Sequence, residues 1–160
     1  MPVLSGVLGG VQCADRGTTP GAATRAVHPP GLLAYVDGVA AGWCAFGPRT
    51  EMERLKRSRT IQKVDDTHVW SIVCFVVRAG YRRRGIARTL LDGVVSYAHD
   101  HDIAVLKSYP VDTAGARISG TFAYVGTTQM FEDAGFHRVE QTRAHSGGLV
   151  RWIMRREFRT

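Results

Sequence analysis

Between His68 and Leu91 the chain reads HVWSIVCFVVRAGYRRRGIARTLL, and the reading of this stretch decides the fold. His68 to Val77 is a continuous apolar run rich in β-branched and aromatic residues, which predicts a central strand buried on both faces. Arg82, Arg83 and Arg84 then stand in a row before Gly85. From Ala87 onward, apolar residues recur at Leu90, Leu91, Val94, Val95 and Ala98, which is helix spacing with one face toward a core. The first amides of a helix lack intrahelical partners, and the helix dipole makes that end positive. Arginines there oppose the dipole and cost stability unless an anion is to be held. Gly85 lets the backbone approach such an anion, because no Cβ intervenes. Each guanidinium can add a charge-assisted hydrogen bond worth about 1.5–3 kcal/mol where water is partly excluded. The stretch therefore reads as strand, anion-binding loop and helix.

Upstream, LLAYV (Leu32–Val36) is strand-like, Asp37-Gly38 is a two-residue hairpin turn, and VAAGWCAF (Val39–Phe46) is the return strand. RTEMERLKRSRT, from Arg49 to Thr60, is polar and basic and predicts a short helix and a loop. Downstream, IAVLKSYPV (Ile103–Val111) predicts a strand, and residues 112–126 a long glycine-containing loop. TTQMFEDAG predicts a short helix closed by Gly135 in a left-handed cap. FHRVEQTRA and GLVRWIMRREF predict two closing strands around the HSGG turn. A hairpin followed by strand, helix, strand, helix, strand and strand gives an α/β class with a mixed sheet and helices packed on it. Residues 1–30 are weakly patterned and read as loop with a short helix. Residues 31–160 read as a single domain, and 160 residues suffice for one proper core.

The net charge of +7 suggests a polyanionic partner: nucleic acid, an anionic membrane or a phosphorylated small molecule. The cysteines, Cys13, Cys44 and Cys74, are odd in number and widely spaced, which argues against a disulfide framework or a zinc site. Cys44 and Cys74 lie in apolar runs and read as small buried hydrophobes. The six histidines lack metal-ligand spacing, so no metal is expected. The apolar start MPVLSGVLGGVQC lacks the basic opening of a signal peptide. No apolar stretch approaches the roughly 20 residues of a membrane span. A cytoplasmic protein in a reducing compartment, with no membrane partner, is the expectation.

Gly-Lys-Ser/Thr and GxGxxG are both absent, which argues against a triphosphate P-loop and a dinucleotide fingerprint. Arg82-x-x-Gly85-x-Ala87 instead resembles the Arg/Gln-x-x-Gly-x-Gly/Ala element of the GNAT superfamily of N-acetyltransferases. VWSIVCFVVRAGYRRRGIA resembles that family's fourth strand running into its pyrophosphate loop. MFEDAGF (Met130–Phe136) resembles the family's late helix end. The resemblance covers Leu32 to Arg156. It implies a GNAT-like acyl-CoA N-acyltransferase fold, with a central, mostly antiparallel sheet flanked by helices. It also implies acetyl-CoA as co-substrate and direct acetyl transfer to an amine in a ternary complex. The pantetheine arm would pair with Phe75, Val76 and Val77. Arg82, Arg83, Arg84, Gly85, Ile86 and Ala87 would hold the pyrophosphate, and Phe131 would line the cofactor channel.

Acetylation needs a neutral amine, and a lysine-like amine is neutral in about one molecule per thousand or fewer at neutral pH. A general base and an acid for the departing thiolate each contribute about 10²–10⁴-fold. Many family members carry glutamate where this chain has Ser71, and tyrosine where it has Phe131. Tyr124 is the candidate acid, and Asp65, Asp66 and Glu51 are candidate bases. The cluster Arg49, Arg54, Lys56, Arg57 and Arg59 reads as a solvated face, or as a holder of an acidic substrate or of the coenzyme's 3′-phosphate. Two other functions stay open. One is a non-catalytic acyl-CoA sensor, favoured by the missing glutamate and tyrosine. The other is a basic nucleic-acid-binding module, disfavoured because the aromatics lie mostly in apolar runs. Residues 1–30 depart from the opening helices usual in the family, so the acceptor side is either incomplete or supplied by a dimer mate, and the acceptor itself is not readable.

Overall fold

The structure, a computed structural model, describes residues 11–13, 28–117 and 123–159. One sheet of seven strands runs through it: β1 (Val11–Cys13), β2 (Gly31–Val36), β3 (Val39–Pro48), β4 (Trp70–Val77), β5 (Val105–Ser108), β6 (His137–Ser146) and β7 (Leu149–Glu157). Their spatial order is β1-β2-β3-β4-β5-β7-β6. Only β4 and β5 run parallel; every other neighbouring pair is antiparallel. The mixed, mostly antiparallel sheet is the one the sequence predicts.

The Asp37-Gly38 hairpin turn forms as expected, with both residues at positive φ. The short helix predicted after β3 is α1 (Glu53–Lys56), preceded by one 3-10 turn at Arg49–Glu51. Residues 1–30 differ from expectation at one place. Val11–Cys13 pair antiparallel with Leu32–Ala34 and extend the sheet edge. A strand that short carries no alternation to detect. The expectation for residues 1–10 and 14–27 lies outside the described residues.

The long helix α2 (Ile86–Asp100) buries Ile86, Leu90, Leu91, Val94 and Ala98, the face its spacing predicts. That face packs on β2, β3 and β4 in the main core, with Leu32, Cys44, Phe46, Ile72, Phe75, Leu106 and Met154. Gly42 on β3 makes the approach possible, since a Cβ there would come within 2.7 Å of the Ile86 side chain. The helix α3 (Thr128–Asp133) starts where the Thr127 side chain accepts from the Met130 amide at 3.2 Å. It stops at Gly135, φ +82, with the Phe136 amide returning to the Phe131 carbonyl at 3.0 Å. A second, smaller core of Leu55, Ile61, Tyr109, Ala144 and Ile153 lies under the segment between β3 and β4.

The sheet forks between β4 and β5. Trp70, Ser71 and Ile72 pair with Leu106, Lys107 and Ser108, and the pairing ends there. After Ser108 the chain stays with β7: the Trp152 amide donates to Pro110 at 2.9 Å and the Asp112 amide to Val150 at 3.0 Å. On its other side it takes up a later segment, with Val111 donating to Gly126 at 3.1 Å and Thr128 to Val111 at 2.9 Å. Among the described residues, Cys74–Val77 are therefore paired on one edge only, with β3. The expectation that this strand is buried on both faces is corrected here: Ser71, Ile72 and Phe75 are buried, but Val76 is 53% exposed. The divergence of β5 removes the neighbour that would have covered it.

Candidate functional site

The free edge of β4 leads into Arg78–Gly85 and then into the first turn of α2. Gly85 is the N-cap residue, in a left-handed conformation at φ 76, and no side chain caps the helix. Arg83, at φ 58, is also left-handed. Among the described residues, no backbone amide from Arg82 to Arg88 donates to a protein acceptor; the first helical bond runs from Thr89 back to Gly85 at 3.0 Å. A Cβ built on Gly85 would meet nothing within 4 Å, so the space beside the start of the helix is open. Adjacent unpaired N–H groups at a helix start favour an anion.

The three arginines have no carboxylate partner among the described residues. Arg82 leans back toward the Val77 carbonyl at 3.5 Å, and the Arg84 guanidinium lies 5.3 Å from the Tyr81 ring centroid. A concentration of positive charge without local acids is left at the end of the free strand edge. Phe75, Val76, Val77, Arg82, Arg83, Arg84, Gly85, Ile86 and Ala87 thus fall on one continuous ridge of backbone. Phe131 stands apart. It is fully buried behind β4, 6.0 Å from the Phe75 ring and 5.1 Å from that of Phe136.

The fork opens into a cavity of about 530 Å³, lined by Val73 and Cys74 of β4, Tyr109, Tyr124, Arg151 and, from the segment after β3, residues 51–55, 58, 60 and 61. Tyr124 therefore shares this cavity with Val73 and Cys74, and is 45% exposed. Cys74, read as a core residue, is half-buried and lines this cavity. Burial pushes its thiol pKa up, so it is a poor nucleophile. Ser71 is fully buried with its Oγ 2.8 Å from the Tyr109 hydroxyl, and a hydroxyl so engaged cannot replace a carboxylate base.

The candidate bases separate clearly. The Arg155 guanidinium bonds the Asp65 carboxylate and holds its pKa well below the usual range, which makes it a weak base. Lys107 adds to this at 3.5 Å. Asp65 and Lys107 line a different hollow, of about 720 Å³, on the other side of Leu55 and Ser58. Asp66 is fully exposed and pairs with Lys63 at 2.6 Å. Glu51 lines the fork cavity, with Oε1 3.2 Å from Nε2 of His28. Of the basic cluster, Arg49 is structural: it donates to the carbonyls of Leu55 and Ile61 at 3.4 and 3.3 Å and braces the segment over the second core. Lys56 and Arg57 pair with Glu53.

Sequence reasoning missed Arg151. It reads as one of the outward positions alternating along β7, but the bent chain at Pro110–Asp112 folds over it and makes it a cavity wall. No group of three His, Cys, Asp or Glu among the described residues could hold a metal ion. No described helix is long and apolar enough to cross a membrane.

The family model described as acetyltransferase (GNAT) family matches residues 14–116. No curated protein sequence matches the chain. Among solved structures, the chain is similar to Ard1 from Thermoplasma volcanium, with 15% identity, a TM-score of 0.54, and 82% of this chain and 72% of that one covered. It is also similar to a ribosomal-protein-alanine N-acetyltransferase from Brucella melitensis, with 19% identity, a TM-score of 0.52, and coverage of 80% and 68%. Arabidopsis thaliana Naa50 in complex with the bisubstrate analogue CoA-Ac-MVNAL matches at 17% identity and a TM-score of 0.52, with coverage of 80% and 72%.

Proposed function

Because the chain belongs to the acetyltransferase (GNAT) family, we propose that it binds acetyl-CoA along the free edge of β4 and moves the acetyl group to a primary amine. The observation that carries this reading is the run of amides from Arg82 to Arg88 that find no acceptor among the described residues, set directly after a strand edge that β5 has abandoned. A diphosphate fits the first feature, and an extended amide-bearing arm fits the second. The pantetheine lies along Phe75, Val76 and Val77, the pyrophosphate on the loop from Arg82 to Ala87, and the thioester at the fork beside Cys74. Phe131 supports this wall from within the core. Naa50, similar in fold, was solved with the bisubstrate analogue CoA-Ac-MVNAL, which supports a coenzyme A ligand for this chain.

In the reaction the amine nitrogen attacks the thioester carbonyl, the C–S bond breaks, and the amine gives up a proton while the thiolate takes one. Tyr124, at the cavity mouth, is the proton donor to the thiolate. Glu51, the one candidate base that lines the same cavity, draws the proton from the amine through water. Holding amine and thioester together supplies the remainder of the rate. A cytoplasmic setting agrees with a reducing environment for the coenzyme thiol.

The test is calorimetric titration with acetyl-CoA, followed by thiol release in the presence of a panel of amines. Binding in the micromolar range and amine-dependent thiol release support the reading; absence of binding removes it. Binding without release for any amine would favour a second reading, a non-catalytic acyl-CoA sensor. The buried Ser71 hydroxyl and the sequestered Asp65 are what favour that alternative.

A further inference from the structure

The geometry points to Arg151 as an acceptor-recognition residue: the amine acetylated here is a small molecule that also carries a carboxylate, and the Arg151 guanidinium binds that carboxylate. The inference rests on the acetyltransferase reading and deepens it. Arg151 lies on β7 and reaches the fork cavity from the wall opposite β4. Its Nε donates to the Tyr109 carbonyl at 2.7 Å, which fixes the plane of the guanidinium. The two terminal nitrogens have no hydrogen-bond or ion-pair partner among the described residues.

An arginine in this condition is unusual. Burial pushes its pKa down, and the groups that oppose the push are two tyrosines, Tyr124 and Tyr109, not a carboxylate. A half-buried guanidinium without a counter-ion is partly desolvated with nothing to offset it. The acids that line the cavity do not pair with Arg151: Glu53 pairs with Lys56 and Arg57, and Glu51 faces His28. A planar fork with two free donors and one fixed by a carbonyl matches the two oxygens of a carboxylate. The cavity volume, about 530 Å³, is that of a small-molecule site rather than a peptide groove. The same cavity touches Cys74 at the free strand edge, so one ligand can place its amine at the thioester and its anion on Arg151.

The experiment compares amino acids with their carboxamides as acceptors, using thiol release from acetyl-CoA, in the wild type, Arg151→Gln and Arg151→Lys. The expected result is a kcat/KM at least ten-fold higher for the carboxylates in the wild type. Arg151→Gln erases that preference through KM, leaving the acetyl-CoA Kd within two-fold. Arg151→Lys keeps part of it. Equal rates for carboxylate and carboxamide in the wild type, or a preference that survives Arg151→Gln, overturn the inference. So does acetylation confined to peptides. A separate arm needs no turnover: N-acetyl amino acids and their carboxamides are titrated into wild type and Arg151→Gln. Preferential binding of the carboxylates, lost in the variant, supports the anion site even if the acetyltransferase reading fails. Equal binding of both overturns the site even if acetyl-CoA binds.

Discussion

The Ser71 hydroxyl lies 2.8 Å from the hydroxyl of Tyr109, both side chains are buried, and the pair ties β4 to the chain leaving β5 where the two strands part. A buried hydroxyl deprived of its partner costs about 1–3 kcal/mol, whereas replacing both partners by apolar groups is far less damaging. Ser71→Ala and Tyr109→Phe are each expected to destabilise the protein by about 1–3 kcal/mol. The double variant should lose less than the sum. Urea unfolding of the four proteins measures the coupling, and strict additivity would mean the two hydroxyls do not hold the fork.

Gly85 sits at φ 76 with open space around it, so a larger side chain meets no protein atom. The backbone strain is about 1–2 kcal/mol. Gly85→Trp is therefore expected to leave a folded domain, seen as an unchanged circular dichroism spectrum, while the indole covers the amides. Affinity for acetyl-CoA should fall at least ten-fold by calorimetry. Equal affinity in both proteins would show that the diphosphate is held elsewhere.

How much of this was legible in the sequence depends on the range of each interaction. The β2–β3 hairpin, α2 and the loop before it are set by local periodicity and turn chemistry, and Asp37-Gly38, Leu90 and Gly85 fall where the pattern puts them. The edge strand Val11–Cys13 was not legible, because three residues paired through backbone groups leave no side-chain signature. The open half of β4 was misread as buried, because Val76 looks like any strand valine and its exposure depends on β5 bending away after Ser108. The family resemblance pointed to the loop from residue-level motifs. Arg151 and the capture of Asp65 by Arg155 join residues far apart in sequence, which no local pattern reports.

Tyr124 and Cys74 line the same cavity, and the Tyr124 side chain is half exposed there. If it protonates the departing thiolate, Tyr124→Phe removes the donor without removing the ring. Its kcat should fall about 10²-fold or more. The acetyl-CoA Kd should change less than two-fold, since the coenzyme rests on backbone. A kcat within two-fold of the wild type would take Tyr124 out of the proton transfer.

Asp65 joins the segment between β3 and β4 to both β5 and β7, through Lys107 and Arg155. The hydrogen bond from Arg155 lowers its carboxyl pKa in the folded protein, with burial opposing and Lys107 assisting. A carboxyl whose folded pKa lies below its unfolded value of about 3.9 stabilises the fold above that value. The contribution is lost as pH falls through the folded pKa. The Lys107 pKa is lowered as well, by burial first and by Arg155, and Asp65 opposes that shift. Asp65→Asn should therefore lower the Tm at pH 7, and flatten its decline between pH 5 and pH 2. It should also lower the Lys107 pKa further, a shift that NMR of the labelled side chain would read. A Tm profile parallel to the wild type down to pH 2 would mean that the carboxylate contributes nothing to holding this segment over the sheet.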